Sequence, residues 1–159
     1  MTNTAFHAHD HTACIADALS AADAYCAENK LQFTPVRRRV LEILLEKHRA
    51  LGAYDILSDL DAEGFGSQPP VVYRALDFLV SHGFVHKIEQ LNAYTACTHP
   101  GADHVPAFLI CRSCGAVEEA MAQPVQGALR RAAREVGFVI ERAVIEAQGL
   151  CPKCSEARA

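Results

Sequence analysis

Two pairs of cysteines at identical spacing carry the first chemical signal in this chain: Cys111-Arg112-Ser113-Cys114 and Cys151-Pro152-Lys153-Cys154. One CxxC alone has three readings: a redox dithiol, half of a metal site, or two thiols that merely pack. The second pair decides between them. Each turn offers two thiolates in a tight bite, and together they complete a tetrahedral shell for Zn2+, with Zn–S bonds of about 2.3 Å. No βαβ pattern of the thioredoxin kind surrounds either pair. Four thiolates leave no position open, so Cys111, Cys114, Cys151 and Cys154 form a structural zinc site that holds a fold and does not catalyse.

A second set of donors is looser. His86, Cys97, His99, His104 and the neighbours Glu118 and Glu119 are candidates for another ion, and His86 and Cys97 fall on two adjacent short strands. Ordinary surface histidines remain the alternative for His86 and His104. Cys14 and Cys26 lack a CxxC partner and read as small hydrophobes. His7, His9 and His11 lie in a polar N-terminal tail, which reads as a frayed terminus or a weak scavenging site for a divalent metal.

The elements that must position these groups follow from periodicity. From Cys14 to about Lys30, Ile15, Leu19, Ala22 and Cys26 share one helical face. Thr34 as N-cap and Pro35 at the first position open a second helix with Val36, Val40, Ile43 and Leu44 as its stripe. A third helix runs near Ala53–Glu63, with Ile56, Leu57 and Leu60 inward. Pro69-Pro70 starts a fourth that ends at Gly83. Val72, Leu76, Leu79 and Val80 face one side of it, and Arg74, Asp77 and Ser81 the other. Alternating segments Phe84–Glu89 and Ala93–Cys97 make a β-hairpin. Three short helices and a hairpin predict a winged helix-turn-helix, whose last helix enters the DNA major groove, with Arg74 reaching a base edge or a phosphate; a helical protein-interaction module is the alternative.

After Cys97 the texture changes. Residues 98–106 read as a hinge, followed by a strand at Phe108–Cys111, a strand at Ala116–Ala120, a helix from about Pro124 to Val136, and a β-rich run at Phe138–Ala147. The fold class is α+β: a winged-helix domain at 14–97 and a small α/β zinc-binding domain at 107–159, with residues 1–13 as the tail.

Composition bounds the rest. A net charge of −4 and a pI near 6.0 do not advertise nucleic-acid binding. Locally, though, residues 30–49 carry Lys30, Arg37, Arg38, Arg39, Lys47 and Arg49 against Glu42 and Glu46. The N-terminus lacks the apolar core of a secretory leader, and the apolar run around Phe108-Leu109-Ile110 is far too short to span a bilayer. A soluble, cytoplasmic protein is expected, where seven cysteines point to metal or redox chemistry rather than a disulfide framework.

The run Pro69-Pro70-Val71-Val72-Tyr73-Arg74-Ala75-Leu76-Asp77-Phe78-Leu79, with Gly83-Phe84-Val85-His86-Lys87, resembles the ferric uptake regulator (Fur) family, most closely its zinc uptake regulator (Zur) branch. So do Thr34-Pro35…Arg37, Ala53-Tyr54-Asp55, Cys111…Cys114-Gly115 and Val144-Ile145-Glu146…Gly149-Leu150-Cys151…Cys154. The resemblance covers about residues 14–155. Iron-sensing members carry His-His-His-Asp-His before the first CxxC; here Thr98–His104 stands in that place, preceded by Cys97. That departure favours the zinc branch.

By position, the resemblance implies His86, Cys97, His104 and Glu119 as regulatory ligands, with Glu118 as a competitor to Glu119 and no assigned role for His99. It implies two Zn2+ per chain, a homodimer through the C-terminal domain, and Tyr54, Tyr73 and Arg74 as contacts to double-stranded operator DNA. The function it implies is a zinc-responsive transcriptional repressor of zinc uptake genes, not an enzyme, with neither a membrane nor a small-molecule substrate as partner. The rivals are an iron-responsive regulator of the same fold, a thiol redox sensor, and a hydrolase with an open zinc site; four protein ligands and no nucleophile–base pair disfavour the last.

Overall fold

The computed structural model describes residues 11–47, 49–101, 104–121 and 123–157. They divide into two units between Gly101 and Ala102, inside the segment read as a hinge. His7 and His9 lie outside the described residues.

Unit 1 is built on four helices. Helix α1 (His11–Glu28) starts three residues earlier than expected, so 11–13 are helical. Its Leu19, Ala22 and Cys26 are buried, whereas Cys14 is exposed and packs against no core. Helix α2 (Pro35–Glu46) is opened as its sequence dictates: Thr34 caps it by accepting from the Arg37 N–H at 3.4 Å, and Pro35 occupies the first turn, where its missing N–H costs nothing. Helix α3 (Ala53–Ala62) is entered through Gly52, whose N–H donates to the Asp55 carboxylate at 3.2 Å. Helix α4 (Pro69–Ser81) stops at Gly83, where φ is 76°. Only glycine takes that left-handed turn without strain, and it lets the Phe84 N–H close onto the Leu79 carbonyl at 2.9 Å.

Helix α2 packs on α1, α3 and α4. Val40, Ile43, Ile56, Leu60, Val72, Leu76 and Leu79 fill the shared core. Val80, expected inward, is exposed instead, because Ala75 holds the inner position that the stripe needed. Leu76 is completely buried. Leu76→Ala therefore removes packed methyls and leaves a cavity, and we expect a loss of about 2–5 kcal/mol, read as a lowered urea midpoint.

The basic start of α2 is engaged within unit 1. Arg38 pairs with Asp23, and Arg39 binds Glu63 at 2.7 Å, Glu42 at 2.8 Å and Glu46 at 2.9 Å. Arg37 donates to the Gln32 carbonyl and lies 3.8 Å over the Phe78 ring. Lys47 pairs with Asp59. Three of the expected basic residues, Arg38, Arg39 and Lys47, thus clamp α2 to its neighbours.

Strands β1 (Val85–Ile88) and β2 (Ala93–Ala96) form the antiparallel hairpin, with His86 opposite Thr95. Leu51 adds a third, single-residue rung by exchanging both backbone bonds with Tyr94, at 2.8 and 2.9 Å. Unit 1 is a winged helix-turn-helix, and that extra rung was not foreseen.

Unit 2 is a three-stranded sheet in the order β4-β3-β5, from β3 (Pro106–Cys111), β4 (Val117–Met121) and β5 (Ile145–Gly149). Strands β3 and β4 pair antiparallel, and β3 and β5 parallel. A parallel pair needs a crossover, within which helix α5 (Gln123–Glu135) lies. A short helix, α6 (Pro152–Glu156), ends the fold. Two expectations are corrected here. Pro106 belongs to β3, not to the hinge. The β-rich run is strand only from Ile145, since residues 138–144 find no ladder partner among the described residues, and Phe138 and Val139 are 64% and 80% exposed.

Candidate metal centres and the nucleic-acid face

The two CxxC turns meet at one end of the unit 2 sheet. Cys111 closes β3, and Cys114 sits in the turn held by Gly115 N–H to Cys111 carbonyl and Cys111 N–H to Ala116 carbonyl, both 2.9 Å. Gly115 has φ 74°, the conformation that tight turn requires. Cys151, two residues past β5, is the N-cap of α6, and Cys154 lies one turn along it. Parallel pairing of β3 and β5 therefore brings the two turns side by side.

The four Sγ atoms lie within 4.8 Å of one another, and Cys114 and Cys151 are 3.7 Å apart. A tetrahedron with bonds of about 2.3 Å sets its sulfurs about 3.8 Å apart. The donor set fits zinc. All seven cysteines are free thiols.

Titration of these thiols is split. The N–H groups of Cys114, then Cys151, hold the Cys111 thiol down at about 6. For Cys154 the Ser113 hydroxyl pulls downward, but the Cys151 thiol, burial and the remaining cysteines outweigh it and push it up to about 11. The thiolate of Cys111 thus supports the fold above its ordinary value of 9.0, and that support is lost as pH falls through about 6. At pH 7 Cys111 is already a thiolate without metal, while Cys154 still keeps its proton. Zinc loading of chelator-stripped protein should release protons, measurable with an indicator dye in weak buffer. Apparent zinc affinity should then steepen its decline below about pH 6; a pH-independent affinity would contradict this donor set.

The second donor set is carried half by each unit. In unit 1 His86 is half-buried on β1, and Cys97 is buried one residue past β2, its N–H donating to the Phe84 carbonyl at 2.8 Å. Their ligand atoms lie within 4.8 Å. In unit 2 His104 Nε2 and Glu119 Oε1 are 2.6 Å apart. Glu119 is the one charged side chain buried among the described residues. Burying a carboxylate is costly without a cationic or hydrogen-bonding partner. Glu118 points to the opposite face of β4, since neighbouring strand residues alternate: it stands across from Leu109, and Glu119 across from Phe108. His99 is exposed, with its Nδ1 2.9 Å from the Thr98 hydroxyl.

On the outer face of α4, Tyr73 and Arg74 are exposed beside Asp77, and Tyr54 at the start of α3 is 69% exposed. No helix among the described residues is long and apolar enough to cross a membrane.

The profile of the ferric uptake regulator family matches residues 28–148. The chain belongs to that family. Within it, the chain is 41% identical to the zinc uptake regulation protein of Escherichia coli K12 over 89% of its own length and 83% of that protein's. A ferric uptake regulation protein of Staphylococcus epidermidis is 25% identical, over 80% of this chain and 88% of its own. Among solved structures, a zinc uptake regulator complexed with zinc and DNA superposes with a TM-score of 0.86 at 39% identity, covering 91% of this chain and 97% of the other. Membership of the Fur family, closest in kind to its zinc branch, agrees with the motif reading.

Reading the chain alone missed α6, the Leu51 rung and the exposed surface of unit 2. That surface includes Leu129, Val136, Phe138 and Val139. Its signal was present: apolar residues continue past the end of α5 at Glu135 and the turn at Gly137, into a run that reads as a strand complete in itself.

Proposed function

We propose that this chain is a zinc-responsive transcriptional repressor: a cytoplasmic homodimer that holds operator DNA when zinc fills a regulatory site, and so controls zinc uptake genes. One observation carries it. A family member 41% identical to a zinc uptake regulation protein has a buried thiol and a buried carboxylate, Cys97 and Glu119, each beside a histidine.

Each pair supplies half a tetrahedral shell. His86 and Cys97 come from the wing of unit 1, and His104 and Glu119 from unit 2. Two neutral imidazoles, one thiolate and one carboxylate balance the charge of a dication, and the soft thiolate suits zinc better than Fe2+. Bound there, zinc supplies a single point that side chains of both units ligate. Zinc would thereby favour the state in which the two recognition helices of a dimer have the separation of successive major grooves. Tyr54, Tyr73 and Arg74 meet the DNA, with Arg74 suited to a guanine edge or a phosphate. Cys111, Cys114, Cys151 and Cys154 hold the structural ion, two zinc ions per chain in all.

The exposed apolar residues of unit 2 support dimerisation there. Val136, Phe138 and Val139 are 79%, 64% and 80% exposed in one chain, and such clustered apolar surface marks an interface. An iron-responsive regulator is the second reading, and Cys97 is the feature against it.

The test uses duplexes selected from a random library at saturating zinc. Anisotropy and zinc content are followed across chelator-buffered free zinc. DNA binding should appear as a second ion per chain loads, with the first retained throughout. A single retained ion at every level, with DNA binding unchanged, would remove zinc as the signal.

A further inference from the structure

His99 is the histidine of the metal-rich stretch that the ligand set leaves over, and it sits two residues past Cys97. Two of its contacts bear on the site. Its main-chain N–H points at Cys97 Sγ, 3.4 Å away, and its ring Nδ1 is 2.9 Å from the Thr98 hydroxyl. The chain thus turns sharply after Cys97, so that a backbone donor faces the thiol while the imidazole stays on the exposed side.

We infer that His99 works on the sensing site through its amide and not its ring: the N–H donates to the Cys97 thiolate and tunes it as a ligand, and the Thr98 hydroxyl anchors the imidazole away from the metal. The inference rests on Cys97 being a regulatory ligand.

A hydrogen bond to a ligating thiolate withdraws charge from sulfur. The sulfur becomes a weaker electron donor to the metal and a weaker nucleophile toward oxidants and alkylating agents. In a zinc sensor this is useful twice. The site releases its ion at falling free zinc, and its lone thiolate survives. Adjacent groups that orient or polarise a ligand commonly matter nearly as much as the ligand. His99 is a positioning residue in this sense.

Cobalt(II) reports the electronic effect, because its sulfur-to-metal charge-transfer bands follow the thiolate's donor level. The full chain would be loaded with two cobalt ions, and the spectrum of Cys97→Ser subtracted to isolate the Cys97 component. His99→Ala keeps the N–H and should leave that component in place. His99→Pro lacks the N–H and should move it to lower energy and raise the alkylation rate of Cys97 several-fold. A His99→Ala spectrum that loses ligand-field intensity would make the ring a ligand and overturn the inference. So would a His99→Pro spectrum identical to wild type. If Cys97→Ser itself changes nothing, the regulatory site is misassigned, and both readings fall.

Because proline at 99 could disturb folding, the unsubstituted protein provides a second arm. Loaded with 113Cd, it should show scalar coupling between the metal and the His99 amide proton through the Cys97 sulfur. The Cys114 amide, which faces the Cys111 thiol, serves as the internal control. Coupling at Cys114 with none at His99 overturns the inference.

Discussion

Cys97→Ser should abolish zinc-dependent operator binding and leave a folded dimer with one zinc ion per chain. The serine keeps the size and loses the soft donor, so the His86/Cys97/His104/Glu119 set no longer holds zinc at the same free concentration. Zinc acts only through its preference for the DNA-competent state. Moving that equilibrium from 1:99 to 99:1 takes a preference of roughly 10⁴-fold, about 5.5 kcal/mol. With the site empty, the competent fraction returns to its low value, and the apparent operator affinity at saturating zinc drops by about 100-fold. Anisotropy with the selected duplex reads this directly; elemental analysis and gel filtration check the retained ion and the dimer. Wild-type affinity in the variant would show that the sensing site lies elsewhere.

Cys111→Ser has the other large effect, and it differs in kind. Cys111 ends β3 and Cys151 follows β5, so zinc at the four thiols clamps the parallel pair at one end of the sheet. In small zinc modules metal binding contributes about 10–16 kcal/mol of apparent folding free energy, comparable to the total stability of a typical domain, about 5–15 kcal/mol. Unit 2 is a small body with a few large buried residues, Phe108 and Ile110 among them. We expect the variant to lose native unit 2 amide protection, and dimerisation with it, while unit 1 keeps protection around Leu60, Leu76 and Leu79. The result to look for is asymmetric collapse in hydrogen exchange. A stable, dimeric Cys111→Ser protein would deny the cluster its structural role.

Much of this was legible before any coordinates. Thr34-Pro35, Pro69-Pro70 and Gly83 are local signals whose meaning is carried by one or two backbone positions, and the structure uses each as expected. The four-cysteine cluster was equally plain, since two CxxC turns have few other uses. Long-range features were harder. That β5 runs parallel to β3, the condition for the cysteines to meet, is not encoded in any short window. Glu118 and Glu119 differ only in strand phase, which a register settles and a composition cannot. The strand expected from Phe138 failed for a physical reason: alternation describes a residue's fitness for a ladder, and a ladder also needs a neighbour.

The clamps that engage Arg38, Arg39 and Lys47 bear on how the protein behaves away from its operators. Non-specific adhesion to DNA comes from phosphate neutralisation by free cations, each adding to the salt dependence. In a chain of net charge −4, Arg38, Arg39 and Lys47 are already answered by carboxylates and add less to such adhesion than free cations would. A dimer that has lost its signal is therefore held on non-specific DNA less firmly than one in which those three cations were free. The quiet state of the circuit is set by charges that never touch the metal.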